Sequence, residues 1–396
     1  MKLIIFTSEL EEQRGIANKI KNEIVNLRLD VEILVNSLDV QDDEGFVIIP
    51  ATGGTERRIL SFIENSDKPI LLWAIPYHNS LPAALEVYAY VKDRHPVELF
   101  YSEINSEAIN KIKSFKRICT AINKLEDLRL GCIGSVSEWI LTSDEFEFGS
   151  IAIDFDELLE EIERVKDEEI EEILQRLSGF RVEVSKRDLI KSAKVYIAMK
   201  NLVDRYNLSA ITVKCFDLLD YDCTACIALS LLNDDGVVAG CEGDLYATYT
   251  MAICSLIANK PCWMANPCRI NCKENTITFA HCTIPTKIID VNRSILTTHM
   301  ESKRGVAIDG TLKCKDVTIA RLSGNKMLLA TGRVVRSGMK INDLCRTQVE
   351  VKLTSGDVMD FLENSLGNHH ILMCGNLKPE LLSFCKFKGF EVVELD

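Results

Sequence analysis

Glu242 stands in the run Val237-Val238-Ala239-Gly240-Cys241-Glu242-Gly243-Asp244, between an apolar strand pattern and an apolar helical one. Strand-to-helix junctions are where open α/β sheets place their ligands. A carboxylate flanked by a glycine there can approach a substrate or a metal closely. Three later positions carry groups that can join it: Asn266 in Trp263-Met264-Ala265-Asn266-Pro267, His281 in Thr278-Phe279-Ala280-His281-Cys282, and His369-His370 after Gly367-Asn368. Carboxylate with imidazole suits a divalent ion of the manganese or zinc kind. Such an ion beside a carboxylate base polarises a carbonyl and allows a proton to move at the neighbouring carbon. Each histidine also reads as a core residue of an apolar strand.

Several other residues sit where a ligand would be held. Lys214 ends the strand pattern Ile211-Thr212-Val213 and reads either as a contact for substrate oxygens or as a solvated strand-end charge. Asp244 reads as a second acid or as the N-cap of the helix that follows. Ala51-Thr52-Gly53-Gly54-Thr55 follows a strand and opens a helix, so its amides can hold an anion or hydroxyl. It has neither the GxGxxG spacing of dinucleotide sites nor the lysine of a P-loop. His78-Asn79-Ser80 occupies a similar junction, where Ser80 reads as a cleft residue or a helix cap. Trp139, after Ser135, Ser137 and Glu138, offers a ring that can stack on a sugar.

The elements that position these groups alternate. Strand patterns at Lys2–Phe6, Val31–Val35, Gly45–Pro50, Pro69–Ala74, Val97–Tyr101 and Leu130–Ile133 are separated by helical ones at Glu12–Leu27, Thr55–Asn65, Ser80–Lys92 and Ser106–Lys124. This predicts a parallel sheet covered by helices on both faces. A Glu-rich helix over Asp156–Leu177, a helix over Leu189–Tyr206, a strand over Ala210–Phe216 and a helix over Leu245–Ala258 extend the α/β pattern. From about residue 288 the strands run closer together, with turn signals at Ser323-Gly324-Asn325 and Thr354-Ser355-Gly356. The texture divides the chain into an α/β region 1–148, a second α/β region 149–287 and a β-rich region 288–396.

The 396 residues carry 47% hydrophobic and 27% charged side chains, as a multidomain globular chain does. The net charge of −13 argues against a general binder of nucleic acid or anionic membrane, since phosphate affinity needs clustered Lys and Arg. The opening Met1–Ser8 reads as a first buried strand rather than a secretion signal, and the expected setting is the cytoplasm. Fifteen cysteines without a disulfide-framework pattern fit reduced thiols, mostly small core fillers. The pairs Cys223/Cys226 and Cys268/Cys272 have metal-like spacing but form no CxxC…CxxC set.

Taken in order, Pro50–Thr55, Pro76–Leu81 with Ala84-Leu85-Glu86, Gly134–Trp139, Val213-Lys214-Cys215, Cys241–Leu245, His281-Cys282 and His369-His370 resemble the L-fucose/L-arabinose isomerase superfamily, its short fucose-isomerase-like members above all. The resemblance implies two Rossmann-like α/β domains followed by a β-barrel-like C-terminal domain, and a homo-oligomer whose clefts are shared between subunits. It implies aldose–ketose isomerisation of a sugar through an enediol, assisted by Mn²⁺. On it, Glu242 matches the first acid, a ligand and base, and His281 and His370 match metal histidines. Lys214, Thr52, Gly53, Asn79, Ser80 and Trp139 are expected to contact the sugar. The departure is Asn266, which stands where the second acid belongs. An amide oxygen ligates weakly and is no general base at neutral pH. Asp244 is the acid nearest in sequence that can substitute. The same residues leave open a lyase or aldol-type reaction on this fold, or a sugar-binding protein without turnover.

Overall fold

The computed structural model describes residues 1–10, 13–38 and 43–395. The chain divides into two compact units, one of Met1–Glu126 with Leu382–Gly389, the other of Asp127–Leu381 with Phe390–Asp396.

In the first unit, β1 (Lys2–Phe6), β2 (Glu32–Val35), β3 (Phe46–Pro50), β4 (Ile70–Ala74) and β5 (Val97–Tyr101) form one sheet in the order β2-β1-β3-β4-β5. All its pairings are parallel. Between the strands run α1 (Arg14–Asn26), α2 (Glu56–Glu64), α3 (Ser80–Val91) and α4 (Ser106–Glu126). The alternation along β1 shows why the strands are apolar throughout. Leu3 and Ile5 enter one core with α1 and α4, while Ile4 and Phe6 enter another with α2 and α3. The first helix starts at Arg14, and Glu12, where the helical pattern began, lies outside the described residues.

The second unit opens with a four-stranded parallel sheet. Its strands β6 (Leu130–Ile133), β7 (Ile151–Ile153), β9 (Ala210–Val213) and β10 (Val238–Cys241) lie in the order β10-β9-β6-β7. A short strand β8 (Arg181–Val182) joins β13 (Ile295–Thr297) and β14 (Ala307–Asp309) in a small separate sheet. The helices are α5 (Phe155–Arg164), α6 (Asp167–Arg176), α7 (Lys186–Tyr206), α8 (Cys226–Asp234) and α9 (Leu245–Ala258). The single helix expected over Asp156–Leu177 is two. Val165 is extended, and the Glu169 carboxylate accepts from the Lys166 backbone N–H where α6 starts. The strand expected to reach Phe216 stops at Val213, where a 3-10 turn over Cys215–Tyr221 begins.

The remaining strands are β11 (Trp263–Asn271), β12 (Thr276–His281), β15 (Asp316–Ser323), β16 (Lys326–Ser337), β17 (Thr347–Leu353) and β18 (His370–Cys374). They close an antiparallel barrel in the order β15-β18-β11-β12-β17-β16, completed by the β15–β16 pairing. Helix α10 (Val358–Glu363) precedes β18, and α11 (Lys378–Lys388) precedes β19 (Glu391–Glu394), which runs parallel to β16. The fold class is thus two parallel α/β sheets followed by a β-barrel. The boundaries at 148 and 287 do not follow the packing. Strand β6 pairs with β9 and so belongs to the second sheet, and β11 and β12 belong to the barrel. A composition shift marks where texture changes, whereas strand pairing decides membership.

Among the described residues no helix is long and apolar enough to cross a membrane. Cys314 and Cys374 form a disulfide, an exception to the reduced thiols expected. Val317 pairs with Cys374 across β15 and β18, which brings the chain just before β15 to the end of β18.

Candidate functional site

The carboxyl ends of β6, β9 and β10 carry Trp139, Lys214 and Glu242 in the loops that follow them. One rim of the barrel faces Glu242 with groups from three adjacent strands. Register sets them at one level of the barrel. Asn266 on β11 is paired with Ala280 on β12, and Ala265 with His370 on β18, so His281 and His369 lie beside Asn266 at the same rim, where both rings reach Glu242.

Glu242 is folded out of the strand path by a left-handed backbone, φ +62°, followed by Gly243 at φ +70°. Non-glycine residues adopt that region at a cost, and such strain collects at functional sites. Gly243 is confined as well. A Cβ there would lie 2.5 Å from the Ser135 carbonyl oxygen and 2.7 Å from Val136 Cα. Gly243→Ala is therefore expected to destabilise the protein by about 2 kcal/mol or more. A denaturant titration showing no change in midpoint would contradict this.

The Glu242 carboxylate has two distinct oxygens. Oε2 accepts a 2.6 Å hydrogen bond from Trp139 Nε1. Oε1 faces two imidazoles, with His369 Nε2 at 3.6 Å and His281 Nε2 at 3.9 Å. These separations are too long for hydrogen bonds and near the spacing of two ligands of one ion. Each ring is held from behind through its other nitrogen. Thr283 Oγ1 lies 3.1 Å from His281 Nδ1, and His369 Nδ1 donates to Asp244 Oδ2 at 3.0 Å. His369 Nε2 and Asn266 Oδ1 are buried and find no hydrogen-bond partner among the described residues. Two back-bonded imidazoles presenting Nε2, a carboxylate and an orphaned amide oxygen are a donor set that fits a divalent cation. Among the described residues the group whose ligand atoms all lie within 4.8 Å of one another is Cys241, Glu242 and His281, and His369 lies outside it.

Asp244 is not in the cavity. Its side chain is 0% exposed and has no position left for a substrate. Oδ1 accepts from Ala247 N and Ser143 Oγ, as the N-cap of α9, while Oδ2 accepts from Arg321 Nη1 at 2.9 Å and from His369. Its carboxylate holds His369 from behind, with no oxygen turned toward the cavity. Arg321, 0% exposed on β15, also donates to Thr142 Oγ1. Gly367 lies against its guanidinium, where a Cβ would meet Nη2 at 2.8 Å.

The electrostatics follow from this network. Burial pushes Glu242 up, but the His369 imidazole, the His281 ring and the Trp139 N–H outweigh it and hold the carboxyl at about 2. Burial likewise opposes ionisation of Asp244, yet Arg321 and His369 keep it well below the usual carboxylate range. His369 would be lowered by burial, but Asp244 and Glu242 raise it to about 9. His281, desolvated and beside His369, falls to about 4.

The histidine that reaches Glu242 is His369. His370, expected to do so, points the other way, as successive residues on a strand must. Its ring packs on Phe361 and Phe279, its Nδ1 donates to Asn368 O, and burial with Arg321 nearby lowers it to about 3. The pair was visible in the sequence, but which member faces inward depended on the register of β18.

A cavity of about 540 Å³ opens in front of Glu242, lined by Trp139, Phe216, Asn266, Glu301 and Asn368 among others. That volume accommodates a monosaccharide. Trp139, 48% exposed, meets the Phe216 ring edge to face at 5.1 Å, so two aromatic rings share one wall. Phe216 and Glu301 were not singled out in the sequence, since neither stands in a pattern of its own. Lys214 is paired with Glu138 at 2.6 Å. Thr52, Gly53, Asn79 and Ser80 belong to the first unit, at the carboxyl ends of β3 and β4. There Thr52 Oγ1 accepts from Ser8 N and Ser80 Oγ from Ile75 N, so both hydroxyls serve local structure, while Asn79 is exposed. Among the described residues neither Cys223/Cys226 nor Cys268/Cys272 enters a metal-ligand group.

No family model matches the chain. It is similar to curated proteins named sulfoquinovose isomerase. That of Priestia megaterium is 21% identical over 97% of this chain and 89% of its own length. That of Clostridium sp. (strain MSTE9) is 24% identical over 72% of this chain and 68% of its own length. That of Alkalicoccus urumqiensis is 22% identical over 76% of this chain and 73% of its own length. These similarities support an aldose–ketose isomerase that acts on a sugar derivative.

Proposed function

We propose that the protein interconverts an aldose and a ketose by moving a proton between carbons 2 and 1 of an open-chain sugar, assisted by a divalent cation. The observation that carries this reading is Glu242, on the wall of a sugar-sized cavity, with two back-bonded imidazoles aimed at its inner oxygen. Glu242, His281 Nε2 and His369 Nε2 would hold the cation, with Asn266 Oδ1 as a weak fourth donor. A divalent ion there, Mn²⁺ in the simplest case, supplies the charge that polarises adjacent carbonyl and hydroxyl oxygens.

The protein's own groups do the rest. Trp139 N–H orients the outer oxygen of Glu242, and that oxygen takes the proton from carbon 2 as the enediol forms. The same carboxyl returns the proton to carbon 1, and the hydroxyl proton passes from O2 to O1. Trp139 and Phe216 offer apolar faces to the sugar, and Asn368 and Glu301 offer hydroxyl partners. Lys214, Thr52, Gly53, Asn79 and Ser80 remain proposed sugar contacts, as does a homo-oligomer in the cytoplasm. Sulfoquinovose is the first substrate to try, because it is the substrate named for the similar proteins. The test is to incubate the purified protein with Mn²⁺ and sulfoquinovose, then a panel of aldoses, and follow ketose formation by NMR. No conversion of any of them would defeat the proposal and favour binding without turnover.

Asn266 separates a modified isomerase from other chemistry. Asn266→Asp places a carboxylate beside the orphaned position and is expected to tighten divalent-metal binding and raise turnover, by about tenfold each. Unchanged or lower turnover with tighter metal binding would point to a lyase or aldol-type reaction that needs the amide.

Metal affinity should also depend on pH. His369 is held protonated up to about pH 9 by the carboxylates beside it, so a cation must displace that proton at neutral pH. The expected result is that affinity rises by at least about tenfold per pH unit from neutrality to about pH 9. A flat profile by isothermal titration would show that His369 is not a ligand.

A further inference from the structure

We propose that the sulfur of Cys241 is also a ligand of the cation, so that this site favours borderline-soft divalent ions such as Zn²⁺ and Co²⁺ over Mn²⁺. The inference rests on the metal-assisted reading above and assigns it a ligand that nothing else in the donor set supplies.

The geometry begins in the backbone. Along an extended strand, Cys241 and Glu242 would point to opposite faces. The left-handed turn at Glu242 breaks that alternation, and both side chains come to the same place. The Cys241 Sγ, a Glu242 carboxylate oxygen and a His281 ring nitrogen consequently lie within 4.8 Å of one another, with Cys241 and His281 buried. The second observation is the orphaned His369 Nε2, 0% exposed, which lies outside that group of three but 3.6 Å from Glu242 Oε1. One sulfur, one carboxylate and two imidazoles make the four-donor set typical of zinc, with ligand types that suit manganese less well.

Cys241 also has the outer partner that a bound thiolate uses. Cys215 Sγ, in the turn after β9, lies 3.2 Å from Cys241 Sγ. As the sulfur–metal bond forms, the Cys241 thiol proton leaves to solvent, and the Cys215 S–H can donate to the resulting thiolate. Cys215 is only half-buried, whereas Cys241 is buried, so the sulfur nearer the site is the shielded one.

The test is titration of the metal-free, full-length protein with Co²⁺, kept reduced and anaerobic. The expected spectrum has visible d–d bands and a near-ultraviolet sulfur-to-cobalt charge-transfer band, both saturating together. Cys241→Ser should abolish the charge-transfer band, keep d–d bands, and lower the preference for Zn²⁺ over Mn²⁺ by at least about tenfold. Cys215→Ser should keep the band. Co²⁺ binding with visible bands but no charge transfer in the unmodified protein would overturn the sulfur assignment and leave the metal reading standing. A charge-transfer band that survives Cys241→Ser would also overturn it. Absence of any Co²⁺ binding would overturn both. If Cys241→Ser does not fold, X-ray absorption of the Zn²⁺-loaded protein decides: a sulfur scatterer at about 2.3 Å supports the proposal, and a shell of nitrogen and oxygen alone refutes it.

Discussion

Glu242→Gln is expected to lower turnover by about 1,000-fold while leaving the fold intact. The amide matches the carboxylate in size and can still accept the Trp139 N–H through its oxygen. It cannot take a proton from carbon at neutral pH, and it binds a divalent ion weakly. The loss should therefore have two parts, and saturating metal should recover only one of them. Turnover measured against metal concentration separates them: the metal requirement rises, and the plateau stays low. In the folded protein the substitution also removes a negative charge from beside His369, whose raised basicity depends partly on it. A plateau within about tenfold of the unmodified enzyme would mean that the proton is carried by another group.

The second large effect lies behind the site. Arg321→Met is expected to destabilise the protein by about 3–5 kcal/mol, since it leaves one member of a buried ion pair without its partner. Arg321 and Asp244 are each 0% exposed, and their bond is 2.9 Å. Asp244 keeps the Ala247 N–H, the Ser143 hydroxyl and His369, so the site need not collapse entirely. The acid limb should change too. Asp244 is depressed in the fold, so its contribution is present above its unfolded value of about 4 and is lost as pH falls. Removing the guanidinium reduces that depression, and the stability of Arg321→Met should fall off less steeply with acid than that of the unmodified protein. Urea titrations at a series of pH values give both results. A loss under about 1 kcal/mol at neutral pH would show that the ion pair is not what holds Asp244.

Much of the scaffold was legible because its strands and helices carry strong local patterns. The helix Leu245–Ala258 and the strands Lys2–Phe6 and Val97–Tyr101 begin and end where the apolar pattern does. Where the pattern failed, a local backbone choice decided. Val165 is extended inside a run that reads as one amphipathic helix, and the turn after Val213 is a 3-10 helix whose residues carry no breaker. The site was legible in its parts and not in its wiring. Glu242 and His281 could be named because each stands at the end of an apolar strand. That His369 and not His370 faces Glu242 is a matter of strand face, which shifts completely with a one-residue change of register. Arg321 lies within the apolar strand β15 and meets Asp244 only through the barrel's closure, so no spacing in the sequence points to their contact.

The central claim is that Glu242, His281 and His369 hold one divalent cation at the wall of the sugar cavity. Crystals soaked in Mn²⁺ and measured with X-rays at the manganese absorption edge test it most directly. The account predicts one anomalous peak about 2.0–2.3 Å from a Glu242 carboxylate oxygen and from both imidazole Nε2 atoms. No peak at saturating Mn²⁺, or a peak bonded to none of these three residues, would contradict it.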